Sequence, residues 1–324
     1  MQGYRGPRWL PGGHAQTIWP ALFSPRPALA YRRERWDTPD GDFIDVDFLD
    51  PPRPDAPWLV LFHGLEGSSA SHYAVAFAAE ARARGWGYAV PHFRGCSGSD
   101  NRAPRAYHSG DFEEIGWILR RLRERTAAPL RAVGVSLGGN ALLRWTQEAG
   151  DTAAATAAAV AAVSSPVDLA AAGHAIGQGF NRLSYQRMFL RSMKPKALAK
   201  VARYPGLADA GRIAAARSLR EFDDAYTAPV HGFAGVADYW ARCSAAPHLA
   251  RCRIPTLVLN ARNDPFVPAG SLPPTGGAEV AEVGRFVTLW QPPHGGHVGF
   301  PAGAPPGHLQ AMPQAVVDWL ARHG

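Results

Sequence analysis

Gly134-Val-Ser136-Leu-Gly138 is the stretch that decides the fold of this chain. It follows a short apolar run, Leu130–Val135, which is typical of a buried strand, and it opens a segment of helical composition, Gly138–Glu148. A tight strand-to-helix turn accepts only small neighbours and lifts the serine hydroxyl above the sheet. The motif therefore predicts that Ser136 is a nucleophile and that the backbone N–H of Leu137 faces a developing oxyanion.

Strands and helices alternate on both sides of this turn. The predicted strands are Tyr31–Asp37, Phe43–Leu49, Trp58–Phe62, Gly87–Pro91, Leu130–Val135, Ala157–Val163, Pro255–Asn260 and Phe286–Trp290. The predicted helices are Tyr73–Arg84, Asp111–Arg125, Gly138–Glu148 and Gln310–Ala321. This alternation favours an α/β fold with a doubly wound, mostly parallel sheet, preceded by a hairpin that turns at Thr38-Pro-Asp-Gly41.

The pattern divides the chain into three regions. Residues 1–30 are rich in Gly, Pro and Trp, and we expect an irregular arm packed on the core. Residues 31–169 and 251–324 carry the alternating elements of the α/β core. Residues 170–250 have helical composition without a convincing strand, so we expect a helical cap insertion over the ligand-binding edge of the sheet.

The segment Phe62-His-Gly64-Leu-Glu-Gly67 directly follows the first central strand. A His-Gly pair at this place turns the chain so that a backbone N–H, here that of Leu65, faces the nucleophile. His63 is an alternative catalytic base, but it precedes the nucleophile, whereas the expected order is serine, acid, histidine. We therefore expect His63 to bond to the backbone, and Glu66 to face solvent or pair with an arginine.

Two loops at strand ends supply candidates for an acid and a base. Asp264 follows the predicted strand Pro255–Asn260, and an Asp-Pro turn would hold its carboxylate at the strand end. Asp168, after the preceding strand, is its rival. His297 lies in a Gly-rich loop after the last strand, where a general base belongs, and we prefer it over His294, which we expect to bond to the loop backbone. No zinc-binding spacing accompanies these residues, so neither a metal nor a cofactor is expected.

Composition narrows the function classes. The net charge is +7, yet no zinc-finger, helix-turn-helix or basic–aromatic pattern supports nucleic-acid binding. Three widely spaced cysteines, Cys96, Cys243 and Cys252, suggest reduced thiols and a cytoplasmic location. No apolar run approaches the ~20 residues that cross a bilayer, and the N-terminus lacks the apolar region of a signal peptide.

The positive charge is concentrated in the expected cap. Between Arg182 and Arg220 the only acidic residue is Asp209. The ten basic residues are Arg182, Arg187, Arg191, Lys194, Lys196, Lys200, Arg203, Arg212, Arg217 and Arg220. A solvated face is the simpler interpretation of such a run. The alternative hypothesis is weak association with an anionic membrane surface or with anionic esters.

Several blocks together resemble one family. The sequence is similar to the YheT-like branch of the α/β-hydrolase superfamily, kin to the mammalian α/β-hydrolase-domain lipases. The matching blocks are Gly13–Pro20, Thr38–Asp42, His63–Gly67, Phe93–Gly95, Gly134–Asn140, Leu219–Tyr226 and His294–Phe300. The resemblance implies the α/β-hydrolase fold, a serine hydrolase of carboxylic esters, and a base and an acid at His297 and Asp264.

The sequence therefore predicts a carboxylesterase or lipase-like enzyme that acts on small-molecule or lipid esters through an acyl-serine intermediate. A thioesterase or lactonase would use the same triad, because the tetrahedral intermediates are alike. A non-catalytic binding module on the same fold is the hypothesis from a different class. Hydrolysis of a chromogenic short-chain ester would discriminate between them.

Overall fold

The strands form one eight-stranded sheet in the computed structural model, which describes residues 1, 3–275 and 283–324. Their order across the sheet is β1-β2-β4-β3-β5-β6-β7-β8. The bounds are β1 Arg32–Asp37, β2 Phe43–Leu49, β3 Trp58–Phe62, β4 Gly87–Pro91, β5 Leu130–Val135, β6 Ala159–Val163, β7 Thr256–Leu259 and β8 Val287–Trp290. The strand bounds lie within two residues of those predicted from the sequence.

The sheet is mostly parallel, as predicted. Strands β1 and β2 form an antiparallel hairpin, and β2 pairs antiparallel with β4. From β4 through β3 and on to β8, each pair of neighbouring strands is parallel. The chain reverses direction across the sheet at β3, and in such sheets ligands bind at the carboxyl ends of the strands near the reversal.

Helices cover both faces of the sheet and fill the long connection between β6 and β7. Their bounds are α1 Gly13–Phe23, α2 His72–Ala83, α3 Phe112–Arg123, α4 Leu137–Ala149, α5 Leu169–Ile176, α6 Gly179–Leu183, α7 Tyr185–Arg203, α8 Ala210–Ala215, α9 Leu219–Phe222, α10 Ala228–Val230, α11 Val236–Cys243 and α12 Ala311–His323. A π-helical turn, Asp223–Thr227, follows α9. Residues 170–250, all of which are described, contain no strand.

The strand β3 shows why the apolar runs predicted parallel strands. Leu59 and Leu61 pack with α2 and α12 on one face, whereas Val60 and Phe62 pack with α3 and α4 on the other. All four side chains are fully buried. A strand covered on both faces needs an unbroken apolar sequence, because alternation would bury polar groups.

The N-terminal arm differs from its prediction. We expected irregular structure, but Gly13–Phe23 forms the helix α1. Gly at the first helical position and Pro20 inside the helix both weaken the local helical signal. Contacts outside the helix compensate, since the side chains of Gln16 and Thr17 are buried against the rest of the molecule. Tertiary packing therefore decides the conformation of this segment.

Candidate active site

Ser136 stands on a strained turn between β5 and α4. Its backbone has φ 53° and ψ −121°, a conformation that L-residues rarely adopt, and its N–H donates to the Val163 carbonyl oxygen at 2.8 Å. A Cβ added to Gly134 would lie 2.4 Å from the Gly138 oxygen, and one added to Gly138 would lie 2.4 Å from the His63 oxygen. The flanking glycines are therefore a steric requirement of this turn, as the motif predicted.

The structure brings Ser136, His297 and Asp264 into one chain of hydrogen bonds. The Ser136 Oγ lies 3.0 Å from His297 Nε2, and His297 Nδ1 lies 2.9 Å from Asp264 Oδ2. Asp264 is in the acid loop (residues 260–268), after β7, and His297 is in the base loop (residues 291–300), after β8. This geometry allows the serine to lose a proton to the imidazole while the carboxylate stabilises the resulting imidazolium.

The acid loop holds the Asp264 carboxylate through backbone groups. Its Oδ1 accepts hydrogen bonds from the N–H groups of Phe266, at 2.8 Å, and Val267, at 3.2 Å. The other oxygen, Oδ2, is thereby directed at His297. The rival carboxylate, Asp168, instead caps α5 by accepting from the Ala171 N–H at 3.0 Å.

The second histidine of the base loop has a different environment. His294 is half-buried, and its Nδ1 has no hydrogen-bond partner among the described residues. No hydrogen bond from His294 to the loop backbone, which the sequence led us to expect, is formed among the described residues. The structure joins His297, and not His294, to the serine and the carboxylate.

The loop after β3 packs directly against the serine. A Cβ added to Gly64 would lie 3.1 Å from the Ser136 Cβ, and the Gly64 N–H donates to Tyr73 Oη at 2.9 Å. Within the described part of the chain, the N–H groups of Leu65 and Leu137 donate to no other group. Both candidate oxyanion donors are thus free to bind a ligand oxygen.

His63 is a structural residue, as predicted. Its Nε2 accepts from the Phe93 N–H at 3.1 Å, and its Nδ1 donates to the Gly64 carbonyl oxygen at 2.8 Å. Complete burial lowers the pKa of His63 to about 3, so the ring is neutral at physiological pH. Both ring nitrogens are occupied in shaping the loop.

Glu66 lies in neither of the two environments that the sequence suggested. Its carboxylate accepts from Lys196 Nζ at 2.6 Å and from Tyr107 Oη at 2.8 Å, and also from the Ser192 hydroxyl. The side chain is mostly buried. The sequence could not show this pairing, because Lys196 is 130 positions further along the chain, on α7.

A cavity of about 250 Å³ opens over the hydrogen-bonded residues. Ser136, Leu137, His297 and Leu65 lie on its wall at the sheet. The helices between β6 and β7 contribute apolar side chains, among them Leu169, Ile176, Phe189, Met193, Phe222 and Trp240. Charged residues also line the wall: the basic ones are Arg94, Arg105, Lys196, Lys200 and Arg203, and the acidic ones are Glu66, Asp100 and Asp223.

Two supporting residues could not be identified from the sequence pattern. Asn140 is fully buried on α4, and its Nδ2 donates to the carbonyl oxygens of Ser109 and Cys243 at 2.7 and 2.8 Å. It thereby ties a cavity wall to the helix that carries Ser136. Thr17 accepts the backbone N–H of His297 at 2.8 Å. Both residues lie in blocks that carry the family resemblance, which was the only available signal.

The described residues offer no cluster of three or more His, Cys, Asp or Glu side chains suited to a metal ion. The cysteines Cys96, Cys243 and Cys252 are unpaired. Among these same residues, no helix combines the length and the apolar character that a membrane crossing requires.

Comparison with known proteins agrees with the fold. The family model described as alpha/beta hydrolase fold matches residues 57–304. Esterase Pf2001 of Pyrococcus furiosus superposes with a TM-score of 0.56 at 16% identity, over 93% of this chain and 100% of its own. The mouse alpha/beta hydrolase domain-containing protein 10 gives 0.55 at 15% identity, over 90% of this chain and 100% of its own.

Sequence relatives refine the assignment. The chain is 40% identical to "Putative esterase YheT" of Escherichia coli (strain K12), over 96% of this chain and 90% of that protein. It is 28% identical to Phospholipase ABHD3 of Homo sapiens, over 98% of this chain and 78% of that protein. A parallel sheet with a serine on a strained strand-to-helix turn defines the class of α/β hydrolases. The chain belongs to this α/β-hydrolase family, and within it to the YheT-like branch.

Proposed function

We propose that this protein is a serine hydrolase that cleaves carboxylic esters through an acyl-Ser136 intermediate. One observation carries the proposal: Ser136, His297 and Asp264 form a continuous hydrogen-bonded chain on the wall of a cavity. The names of the relatives, an esterase and a phospholipase, support ester hydrolysis as the chemistry.

In the first half-reaction, Ser136 Oγ attacks the ester carbonyl carbon as its proton moves to His297 Nε2. Asp264 orients the imidazole and stabilises its charged form. Collapse of the tetrahedral intermediate breaks the bond to the alcohol, which leaves with the proton from His297. A water molecule then repeats the sequence on the acyl-serine, releasing the acid and restoring Ser136.

The backbone N–H groups of Leu65 and Leu137 form the proposed oxyanion hole. Leu137 is the first residue of α4, so the helix dipole adds to the hydrogen bond there. Backbone donors that are positioned before the reaction stabilise the developing charge without reorganisation, and each is worth ~10²–10³ in turnover.

The cavity favours small-molecule or lipid esters as substrates. Its apolar lining, built from α5, α7, α9 and α11, suits the hydrocarbon part of an ester. Lys200 and Arg203, which also line the cavity and form no ion pair among the described residues, suit a polar or anionic part. Thioesters and lactones fit the same chemistry and belong in the substrate panel as alternatives.

The division of the chain is part of this proposal. Residues 31–169 and 251–324 are the catalytic core, and residues 170–250 are a cap that closes the cavity over Ser136. The arm, residues 1–30, packs on the core through α1. The cap contributes side chains from α5, α7 and α9 to the cavity wall, which supports its assignment as the substrate-binding lid. A cytoplasmic location is also proposed, since Cys96, Cys243 and Cys252 are unpaired.

Weak association with an anionic membrane surface completes the proposal. Several basic residues of the cap are already engaged: Lys196 binds Glu66, Arg212 binds Asp224, and Lys194 donates to backbone carbonyls. The exposed arginines of the cap that pair with no acid in the described chain include Arg182, Arg187 and Arg191. Beside them lie exposed apolar side chains, namely Phe180, Leu183 and Met188. Apolar groups among unpaired cations suit an anionic lipid interface.

Active-site labelling tests the central claim. A fluorophosphonate probe should label the wild type at Ser136, and Ser136→Ala should lose both the label and hydrolysis of a chromogenic short-chain ester. Ser109→Ala is the matched control, because it removes another serine hydroxyl that lines the same cavity, and this variant should still be labelled. Stoichiometric labelling of folded Ser136→Ala would refute the proposed nucleophile.

A further inference from the structure

Helix α1 approaches both loops that carry the proposed acid and base. A Cβ added to Gly299 of the base loop would lie 1.7 Å from the Gln16 carbonyl oxygen. One added to Gly13 would lie 1.9 Å from the Asn263 carbonyl oxygen of the acid loop. Only glycine permits backbones to come this close. The position of both loops therefore depends on the Gly13–Thr17 segment of α1.

The Thr17 side chain binds the backbone of the proposed base. Its hydroxyl accepts the His297 N–H at 2.8 Å and donates to the Gly13 carbonyl oxygen at 2.7 Å. Thr17 is only 8% exposed, so water does not readily replace either bond. Because this N–H belongs to the residue that carries the imidazole, the hydroxyl fixes the point from which the ring extends toward Ser136.

The Gln16 side chain joins the base loop to the acid loop. Its Oε1 accepts the Gly295 N–H at 2.9 Å and an Asn263 Nδ2 hydrogen at 3.0 Å. Asn263 in turn accepts the Gly296 N–H on its Oδ1 at 3.0 Å. Gln16 Nε2 donates to the Leu10 carbonyl oxygen at 2.9 Å, and the side chain is buried. Each loop is thus bonded to α1 and to the other loop.

We propose that Gln16 and Thr17 are positioning residues, which hold the two loops so that His297 stays within hydrogen-bonding distance of both Ser136 and Asp264. The inference rests on the proposed function, in which these three residues act as a unit. Neither positioning residue lines the cavity, so they act through the loops and not through the substrate. A displacement of about 1 Å at a reacting group can cost ~10²-fold in rate.

Thr17→Val tests the role, because valine keeps the shape and removes the hydroxyl. We expect kcat for a chromogenic ester to fall about 10- to 100-fold while KM changes less than about 3-fold. Fluorophosphonate labelling should slow by a similar factor. Thr17→Ser should recover most of the rate, since it restores the acceptor for the His297 N–H. Thr146→Val is the matched control: it removes a buried hydroxyl that donates to the Leu143 oxygen at 2.7 Å, away from both loops.

A spectroscopic readout separates positioning from general stability. The far-downfield proton resonance of the bond between His297 Nδ1 and Asp264 should shift or broaden in Thr17→Val and stay unchanged in Thr146→Val. Equal losses of kcat in both valine variants, or no rescue by Thr17→Ser, would overturn the inference.

Ser136→Ala in the same assays distinguishes failure of the positioning role from failure of the proposed function. If Ser136→Ala is inactive and Thr17→Val keeps the wild-type kcat and resonance, the positioning role is wrong and the proposed function stands. If Ser136→Ala keeps full activity, the proposed function itself fails. Gly299→Ala, which pushes α1 from the base loop, should combine with Thr17→Val less than additively, because both disturb one contact.

Discussion

The imidazole of His297 is fixed at three points. Its ring nitrogens face Ser136 and Asp264, and its backbone N–H is bonded to Thr17. Phe266 packs against the ring with 4.2 Å between centroids. A histidine that is held this way has little freedom to leave the proton-transfer geometry, whereas His294, three residues earlier, lacks such a set of contacts among the described residues.

Two matched pairs of variants test the residue assignments. His297→Ala should lower kcat by at least ~10³-fold, because members of a triad act as a unit. His294→Ala should keep activity within about 10-fold of wild type if it remains folded. For the acid, Asp264→Asn should cost ~10²–10⁴-fold, and Asp168→Asn far less. Steady-state kinetics on one chromogenic ester measures all four, and a reversed order within either pair would remove that assignment.

For individual residues, the sequence allowed a prediction where a local motif marks the residue. Ser136, Asp264 and His297 each follow a recognisable strand, so pattern and order indicated their places, and the family resemblance supported the choice of Asp264 and His297. Thr17 and Gln16 could not be recognised, because their partners lie some 280 positions away and nothing local marks an acceptor for a distant N–H.

The π-helical turn Asp223–Thr227 carries a carboxyl group whose pKa is raised. Asp223 is partly buried on the cavity wall and accepts hydrogen bonds from Trp240 Nε1 at 3.0 Å and Thr227 Oγ1 at 2.8 Å. The described residues place no cation against its carboxylate. Burial raises the pKa of Asp223 to about 6, since the charged form loses its hydration.

This raised pKa predicts how stability changes with pH. A folded-state pKa above the unfolded value means that the folded protein binds the proton more tightly. The tighter proton binding of Asp223 stabilises the fold by on the order of 3 kcal/mol. This stabilisation is complete below pH ~4 and is lost as pH rises through about 6. Asp223→Asn should remove this part of the pH dependence of the unfolding free energy. Urea titrations at several pH values between 4.5 and 7.5 measure it.

The control for this titration is Asp151→Asn, at a carboxylate whose side chain is 94% exposed. It should leave the pH dependence as in the wild type. If Asp223→Asn and the wild type show parallel curves over the whole range, the buried carboxyl does not carry the predicted proton.

At the scale of elements, burial on both faces made the core strands predictable, and local signals could not reveal α1 or the π-helical turn. The helix α1 has a glycine start and an internal proline, so its stability comes from partners outside it. The π-helical turn differs from an α-helical one in its hydrogen bonds and leaves the composition unchanged. Both elements are set by tertiary contacts.

Positive charge is distributed unevenly over the whole molecule. Binding to lipid vesicles can test whether this charge directs the protein to an anionic membrane surface. Wild type should co-sediment with anionic vesicles more than with neutral ones, and less as salt rises, because the attraction is screened over ~8–10 Å. Reversing Arg182, Arg187 and Arg191 to glutamate should abolish the preference and spare hydrolysis of a small neutral ester. These positions are preferable to Lys194 and Lys196, which are already bonded within the fold.

A second triple variant separates surface location from net charge. Reversal of the exposed Arg53, Arg82 and Arg322 changes the total charge by the same amount elsewhere on the molecule. This control should still prefer anionic vesicles. The cap arginines would be an ordinary solvated face without a role in membrane binding if the two triple variants had equal effects. The same conclusion would follow if the wild type showed no preference for anionic vesicles at low salt.

The alternation of strands and helices predicted the doubly wound sheet, since each crossover helix returns the chain to the same edge. The order of strands in the sheet and the closure of the cavity by α5, α7 and α9 had no local signature. They arise from the way that segments far apart in sequence share one core.

The contact between Thr17 and His297 also has a consequence for biosynthesis. It joins residues 280 positions apart, so it forms only after nearly the whole chain has been made. At ~5–20 residues per second, the ribosome needs about 15 to 60 seconds to add that length. The nucleophile turn therefore exists well before its base has docked on α1. On the proposed function, a chain released before residue 297 should therefore be unable to hydrolyse esters.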